Sequence, residues 1–178
     1  MKPLRARYSK IEHLVQDLLR KYAITSPPVP VHDIAKSEGA TVDVHKFNKE
    51  ISGLLLRTGD RAIITVERTQ APTRQRFTDA HELGHLLLHD GEELRVDTQF
   101  KLNLRSPESS AAEDIEEIEA NAFAASLLMP HTFMKKDVTD LILDIDDARK
   151  VRALSRRYEV SAQAMTIRLL NLLSLGRI

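Results

Sequence analysis

The sequence contains no cysteine. That absence excludes disulfides and thiolate metal sites, so any metal must be held by histidine and carboxylate. Net charge is absent too, because 26 Lys and Arg balance 26 Asp and Glu. No global field therefore recruits nucleic acid or an anionic membrane. There is no apolar run near the roughly 20 residues that a membrane span needs. The start, Met1-Lys-Pro-Leu-Arg5, is basic but has no apolar stretch, so it does not read as a secretory signal. No internal repeat and no low-complexity tract interrupts the chain. These absences lead to the expectation of a soluble, cytoplasmic protein. What remains is ordinary for a globular chain: 178 residues, 42% hydrophobic and 29% charged. That suits one domain, or one domain with a small appendage, and it suffices for a core.

Periodicity supplies the elements. Leu4, Tyr8, Ile11, Leu14, Val15, Leu18, Leu19 and Tyr22 recur at helical spacing and predict an amphipathic first helix, which Pro27, Pro28 and Pro30 stop. Val31 to Ser37 reads as a short helix closed at Gly39. Thr41 to Phe47 alternates as a half-buried strand. Ile51–Arg57 and Arg61–Val66 flank Thr58-Gly59-Asp60 and predict a hairpin. Pro72 opens a helix that runs to about His89, followed by Gly91. From Glu92 to Ala111 no period is visible, which predicts a long polar loop. Glu113 to Met129 predicts a strong helix ended by Pro130, then a shorter helix near Phe133 to Val138. Asp147 to Leu175 reads as two helices joined at Glu159-Val-Ser161. The fold expected is α+β: a small antiparallel sheet on a helical core, with a helix-turn-helix-like end. The division expected is residues 1–140 and residues 141–178.

His81-Glu82-Leu83-Gly84-His85 fits H-E-x-x-H. On a helix the two histidines stand one turn apart and only about 40° around the axis. Both rings can then reach one ion. Glu82 lies about 100° from His81, which suits a carboxylate that takes a proton from water on that ion. Leu83, Leu86 and Leu87 occupy a second arc and should face the core. Ala80 and Gly84 form a third strip. A helical Gly costs about 1 kcal/mol against Ala, so Gly84 predicts close approach of another backbone.

A catalytic zinc site usually takes three protein ligands and leaves one position open. His89, Glu117, Glu119 and a residue distant in sequence are the candidates for the third. His89 lies a further turn along the helix and reads better as a group supporting a ligand. On a wheel of the later helix, Glu117 falls within a broad apolar arc and Glu119 falls opposite, beside Ser126. A carboxylate on an apolar face is costly unless paired or metal-bound. Glu117 is therefore the expected ligand, with an ion pair to an arginine as its alternative. Glu119 is expected to be solvated. Asn121, one turn after Glu117, could hold a histidine ring from behind.

Phe77-Thr-Asp-Ala-His-Glu-Leu-Gly-His-Leu-Leu-Leu-His89 and Glu117-Ile-Glu-Ala-Asn-Ala-Phe-Ala-Ala-Ser-Leu-Leu-Met-Pro130 together resemble the ImmA/IrrE family of metallopeptidases. The second block carries the family's E-x-x-A-N-x-F-A pattern, which aligns Glu117 with its ligand position. It also resembles the E-x-x-x-D arrangement of gluzincins, with Asn121 where those have Asp. The resemblance implies zinc, with manganese as the alternative. It also implies proteolysis of a helix-turn-helix repressor, which derepresses stress or mobile-element genes. Longer members carry a GAF-like sensory domain, which a chain of this length is not expected to hold. The sequence does not single out a donor to the oxyanion; Tyr22, Tyr158, His131 and arginines are candidates.

Leu154 to Leu170 looks like a helix-turn-helix. From Arg149 onward, seven basic residues face the single acid Glu159. A DNA-binding regulator is therefore the rival reading, along with a module that holds the repressor without cutting it. The preferred reading is that Leu154, Val160, Ala164, Ile167 and Leu170 dock this helical pair on the rest of the chain.

Overall fold

The computed structural model describes residues 5–47, 51–59, 61–90, 93–97, 111–139 and 148–178. Several expectations lie outside these residues: Leu4, Asp60 of the turn, Gly91, the stretch 98–110 and the boundary near 140. The described residues form seven helices and four strands, an α+β architecture as expected. In chain order these are α1 (Tyr8–Lys21), α2 (Val31–Ser37), β1 (Ala40–His45), β2 (Gly53–Thr58), β3 (Arg61–Glu67) and α3 (Pro72–Leu88). β4 (Leu94–Asp97), α4 (Ala111–Leu128), α5 (His131–Thr139), α6 (Ala148–Tyr158) and α7 (Ala162–Ser174) follow. No described helix is long and apolar enough to cross a membrane.

The sheet has the order β1-β3-β2-β4. The β2–β3 hairpin is antiparallel, with Gly53 opposite Val66 and Thr58 opposite Arg61. β1 runs parallel to β3, with Ala40 opposite Ala62. This corrects the all-antiparallel expectation: β1 skips its sequence neighbour and pairs with the strand beyond it. β4 is a second correction, since residues 94–97 were expected in a loop and instead pair antiparallel with β2. Alternation along β2 and β3 turns Leu55, Ala62, Ile64 and Val66 inward. Helix α3 packs against both strands.

Pro72 sits in the first turn of α3, where its missing N–H costs nothing. Along α3, the Gly84 strip meets α4. A Cβ there would lie 3.3 Å from Ala120 Cα and 3.0 Å from Phe123 Cδ1. This is the close backbone approach that the helical glycine predicts. It brings the H-E-x-x-H face of α3 alongside the first half of α4. From the other side α1 covers α4, burying Ile11, Val15, Leu18 and Leu19.

Helices α6 and α7 meet at Glu159, which adopts a left-handed φ of 53°, and Ser161 caps α7 by accepting from Ala164 N–H. Val151, Leu154, Tyr158, Val160, Met165, Leu169 and Leu172 join the common core. The docking expectation holds for Leu154 and Val160, while Ala164 packs against the core half-buried. It is corrected for Ile167 and Leu170, which are 43% and 52% exposed. The buried face of α7 is Met165, Arg168, Leu169 and Leu172 instead.

Candidate metal centre

His81, Glu82 and His85 are fully buried on one arc of α3. His81 Nε2 and His85 Nε2 lie 2.9 Å apart. Glu117 reaches across from α4. Its Oε2 lies 3.4 Å from His81 Nε2 and its Oε1 lies 3.4 Å from His85 Nε2. One donor atom from each of the three side chains falls within 4.8 Å of the others. Among the described residues this is the one such group of three able to hold a metal.

The electrostatics favour donors over protons. Burial pushes the His85 ring down to about 4, opposed by Glu117 and assisted by His81 and Arg95. At neutral pH His85 is therefore a neutral base. Burial pushes the Glu117 carboxyl up, but the His81 and His85 rings more than reverse this and hold it well below the usual range. Two imidazoles and one ionised carboxylate, converging from two helices, form a donor set that a divalent cation such as zinc accepts.

The groups behind the rings differ from expectation in one respect. Asn121 Oδ1 lies 3.2 Å from His81 Nδ1, the contact anticipated for it. His89 Nδ1 lies 3.0 Å from His85 Nδ1, so His89 supports a histidine rather than joining the donor group. Glu119 corrects the wheel. It has no exposed surface, whereas the Glu117 side chain is 37% exposed. Glu119 accepts from Arg7 N–H at 2.6 Å, from Arg7 Nη2 at 2.6 Å and from Arg7 Nε at 2.9 Å. Its Oε2 also lies 3.0 Å from His89 Nε2. Burial alone raises its carboxyl, yet Arg7 and His89 bring it down to about 2. The wheel failed because α4 has packed neighbours on two sides, and α1 covers the side carrying Glu119.

Three further residues at the site carry no local sequence signal. Arg95 on β4 donates to Glu117 Oε1 and lies 3.4 Å from Glu116 Oε2. The arginine partner considered as the alternative for Glu117 is thus present, alongside the two histidines. Arg57 donates to the His85 and His89 carbonyls at 2.8 and 3.2 Å, satisfying the last turn of α3. Gly53 leaves room for Glu82: a Cβ there would lie 2.5 Å from Thr78 Cγ2 and 2.6 Å from Glu82 Oε1.

Of the residues considered as oxyanion donors, Arg95 is at the site, while Tyr22, Tyr158 and His131 are engaged elsewhere. Tyr22 donates to Glu38, Tyr158 donates to Asp137, and His131 contacts Glu12. The basic end of the chain is largely engaged internally. Arg157 pairs with Asp137, while Arg168 and Arg177 reach Glu12. Glu159, in the turn between α6 and α7, lies 3.4 Å from Arg76 of α3.

Comparison with known proteins places the chain among relatives. A family model described as the IrrE N-terminal-like domain matches residues 35–170. The chain is 29% identical over 155 residues to the radiation response metalloprotease IrrE of Deinococcus deserti, covering 79% of this chain and 52% of that protein. It is also 29% identical over 126 residues to the uncharacterized immunity region protein 2 of Bacillus phage phi105, covering 71% of this chain and 72% of that protein. The chain thus spans about half the length of the Deinococcus relative. Among solved structures, a Mycobacterium tuberculosis transcriptional regulator superposes with a TM-score of 0.59 at 14% identity, covering 88% of this chain and 45% of that one. At that identity the likeness speaks for the fold.

Proposed function

The chain belongs to the ImmA/IrrE family, and from that membership we propose that it is a zinc-dependent endopeptidase acting on a helix-turn-helix transcriptional repressor. The observation that carries this reading is the convergence of His81, His85 and Glu117 beside a fully buried Glu82. His81 Nε2, His85 Nε2 and the Glu117 carboxylate would hold the metal. Zinc fits this nitrogen and oxygen set, with manganese as the second choice. A divalent cation bound there supplies Lewis acidity and lets water ionise near neutral pH.

The chain's own groups do the rest. Glu82 lies one residue beyond His81 on the helix, so with a metal bound its carboxylate would be the group that takes a proton from the attacking water. It would later return that proton to the leaving amine. Asn121 accepts from His81 Nδ1–H and keeps the opposite nitrogen bare. Residues 1–140 are assigned to the peptidase unit and 141–178 to a C-terminal unit, whose described helices α6 and α7 pack on the common core. A repressor substrate implies a cytoplasmic setting. DNA reading by the C-terminal pair is not favoured: Arg157, Arg168 and Arg177 contact carboxylates, and α7 exposes Ile167, Leu170 and Leu173.

The test is incubation of the zinc-loaded chain with candidate helix-turn-helix repressors, beginning with any encoded near it, followed by mass spectrometry of the products. Discrete fragments are expected from the wild type. Glu82→Gln should keep its metal and lose about 10²- to 10⁴-fold in rate. Repressor binding without fragments would favour a non-cleaving module, and equal cleavage by Glu82→Gln would remove its role.

A further inference from the structure

Behind the candidate metal centre, an unbroken line of polar contacts runs from the α1 N-terminus to a metal-facing ring. Its links are Arg7 to Glu119, Glu119 to His89 at 3.0 Å, and His89 to His85 at 3.0 Å. Arg7 and Glu119 lie 112 residues apart in sequence. Glu119 and His85 have no exposed surface, and His89 is buried as well.

The hydrogens in this line have one consistent arrangement. Glu119 is flanked by Arg7 donors on both oxygens, including the backbone N–H at the start of α1. A carboxylate so placed only accepts, so His89 Nε2 must carry a hydrogen. The Arg7–Glu119 pair is already charge-balanced, which leaves His89 neutral, with Nδ1 bare. His85 Nδ1 must then donate to His89 Nδ1. A neutral His85 with hydrogen on Nδ1 has its lone pair on Nε2, the atom that faces His81 and Glu117.

We propose that Glu119, anchored by Arg7 and acting through His89, is a positioning residue that fixes the tautomer of His85 and so presents a bare Nε2 to the metal. This rests on the metal reading of the site above. It gives a buried carboxylate on the far side of α4 a specific task. The two donor histidines become supported alike, His81 by the Asn121 carbonyl and His85 by this longer relay.

The relay makes a prediction that ordinary packing does not. In Glu119→Gln, the amide oxygen takes the Oε1 place, where Arg7 N–H and Nε–H both donate, which puts the NH₂ in the Oε2 place against His89 Nε2 and Arg7 Nη2. Every hydrogen in the line then reverses, and His85 carries its hydrogen on Nε2. Long-range proton–nitrogen NMR of the histidine rings, recorded on metal-free full-length protein, reads this directly. In the wild type, His85 should show a protonated Nδ1 and a bare Nε2, and Glu119→Gln should exchange them. Zinc affinity, measured by competition with a chelator, should fall about 10- to 100-fold.

His89→Phe serves as the second variant if Glu119→Gln does not fold. It removes the acceptor, so His85 should populate both tautomers. His89→Gln restores a carbonyl acceptor and should return His85 toward the wild-type state. A hydrogen on His85 Nε2 in the wild type would overturn the proposal. So would an unchanged His85 tautomer in folded Glu119→Gln or His89→Phe. Failure of the wild type to bind zinc would sink the metal reading, while the ring nitrogens would still decide the relay.

Discussion

Glu12, which contacts α4, and Glu117, which belongs to it, have surroundings that differ in kind. Glu12 accepts from Ser126 Oγ near the end of α4 at 2.7 Å, and His131, Arg168 and Arg177 lie within 3.5 Å of it. Burial pushes its carboxyl up, but Ser126, Arg168 and His131 hold it below the ordinary range. Donors and cations already satisfy this cluster. Glu117, in the first half of α4, instead faces two imidazole nitrogens 2.9 Å apart, and His85 is held neutral. There, lone pairs outnumber what Arg95 alone can satisfy. The first cluster is a structural ion network; the second is a set of donors that favours a cation.

That contrast can be broken at either end. Arg168→Met strikes the structural cluster alone. It should lower stability by about 3 kcal/mol in urea unfolding, because Glu12 loses a partner in a largely buried setting. Zinc affinity should stay unchanged, and a large loss of zinc would mean that the two clusters are not separate. Gly53→Ala strikes the other end. The added Cβ displaces Thr78 or Glu82, so peptide hydrolysis should fall about tenfold or more with zinc retained. Full activity in that variant would show that Glu82 has room to spare.

The smallest effect concerns Asp79, which shares α3 with the motif but carries its own electrostatic cost. Burial pushes its carboxyl up to about 6, against the pull of His32 and Arg76. A raised carboxyl pKa means that the fold prefers the protonated form. That stability is present below the ordinary carboxyl range and is lost as pH rises through about 6. Asp79→Asn should therefore stabilise the protein by about 1 kcal/mol at about pH 8, with the gain vanishing near pH 4. A pH-independent difference in thermal unfolding would show that ionisation is not the cause.

The sequence made visible what is local. H-E-x-x-H lies within one helical turn, Gly84 announces a close approach, and Pro72 opens its helix. Pairing across distance was not visible. Glu119 was assigned to solvent because Arg7, its partner, lies 112 positions away. Glu117 was identified as a candidate ligand on an argument of burial, yet it sits at a half-open rim. β1 runs parallel to β3 because of a strand order that alternation cannot reveal. β4 has only four residues in a polar stretch, too few for a period. On α7, both possible faces are apolar, so spacing alone could not tell Leu169 from Leu170.

If His81, His85 and Glu117 form one metal site, removing one ligand must empty it. Elemental analysis of purified wild type, Glu82→Gln and His81→Ala, each after zinc loading and exhaustive dialysis, tests it most directly. About one zinc per chain is expected in the first two and close to none in His81→Ala. Equal zinc in His81→Ala, or none in the wild type, would contradict it.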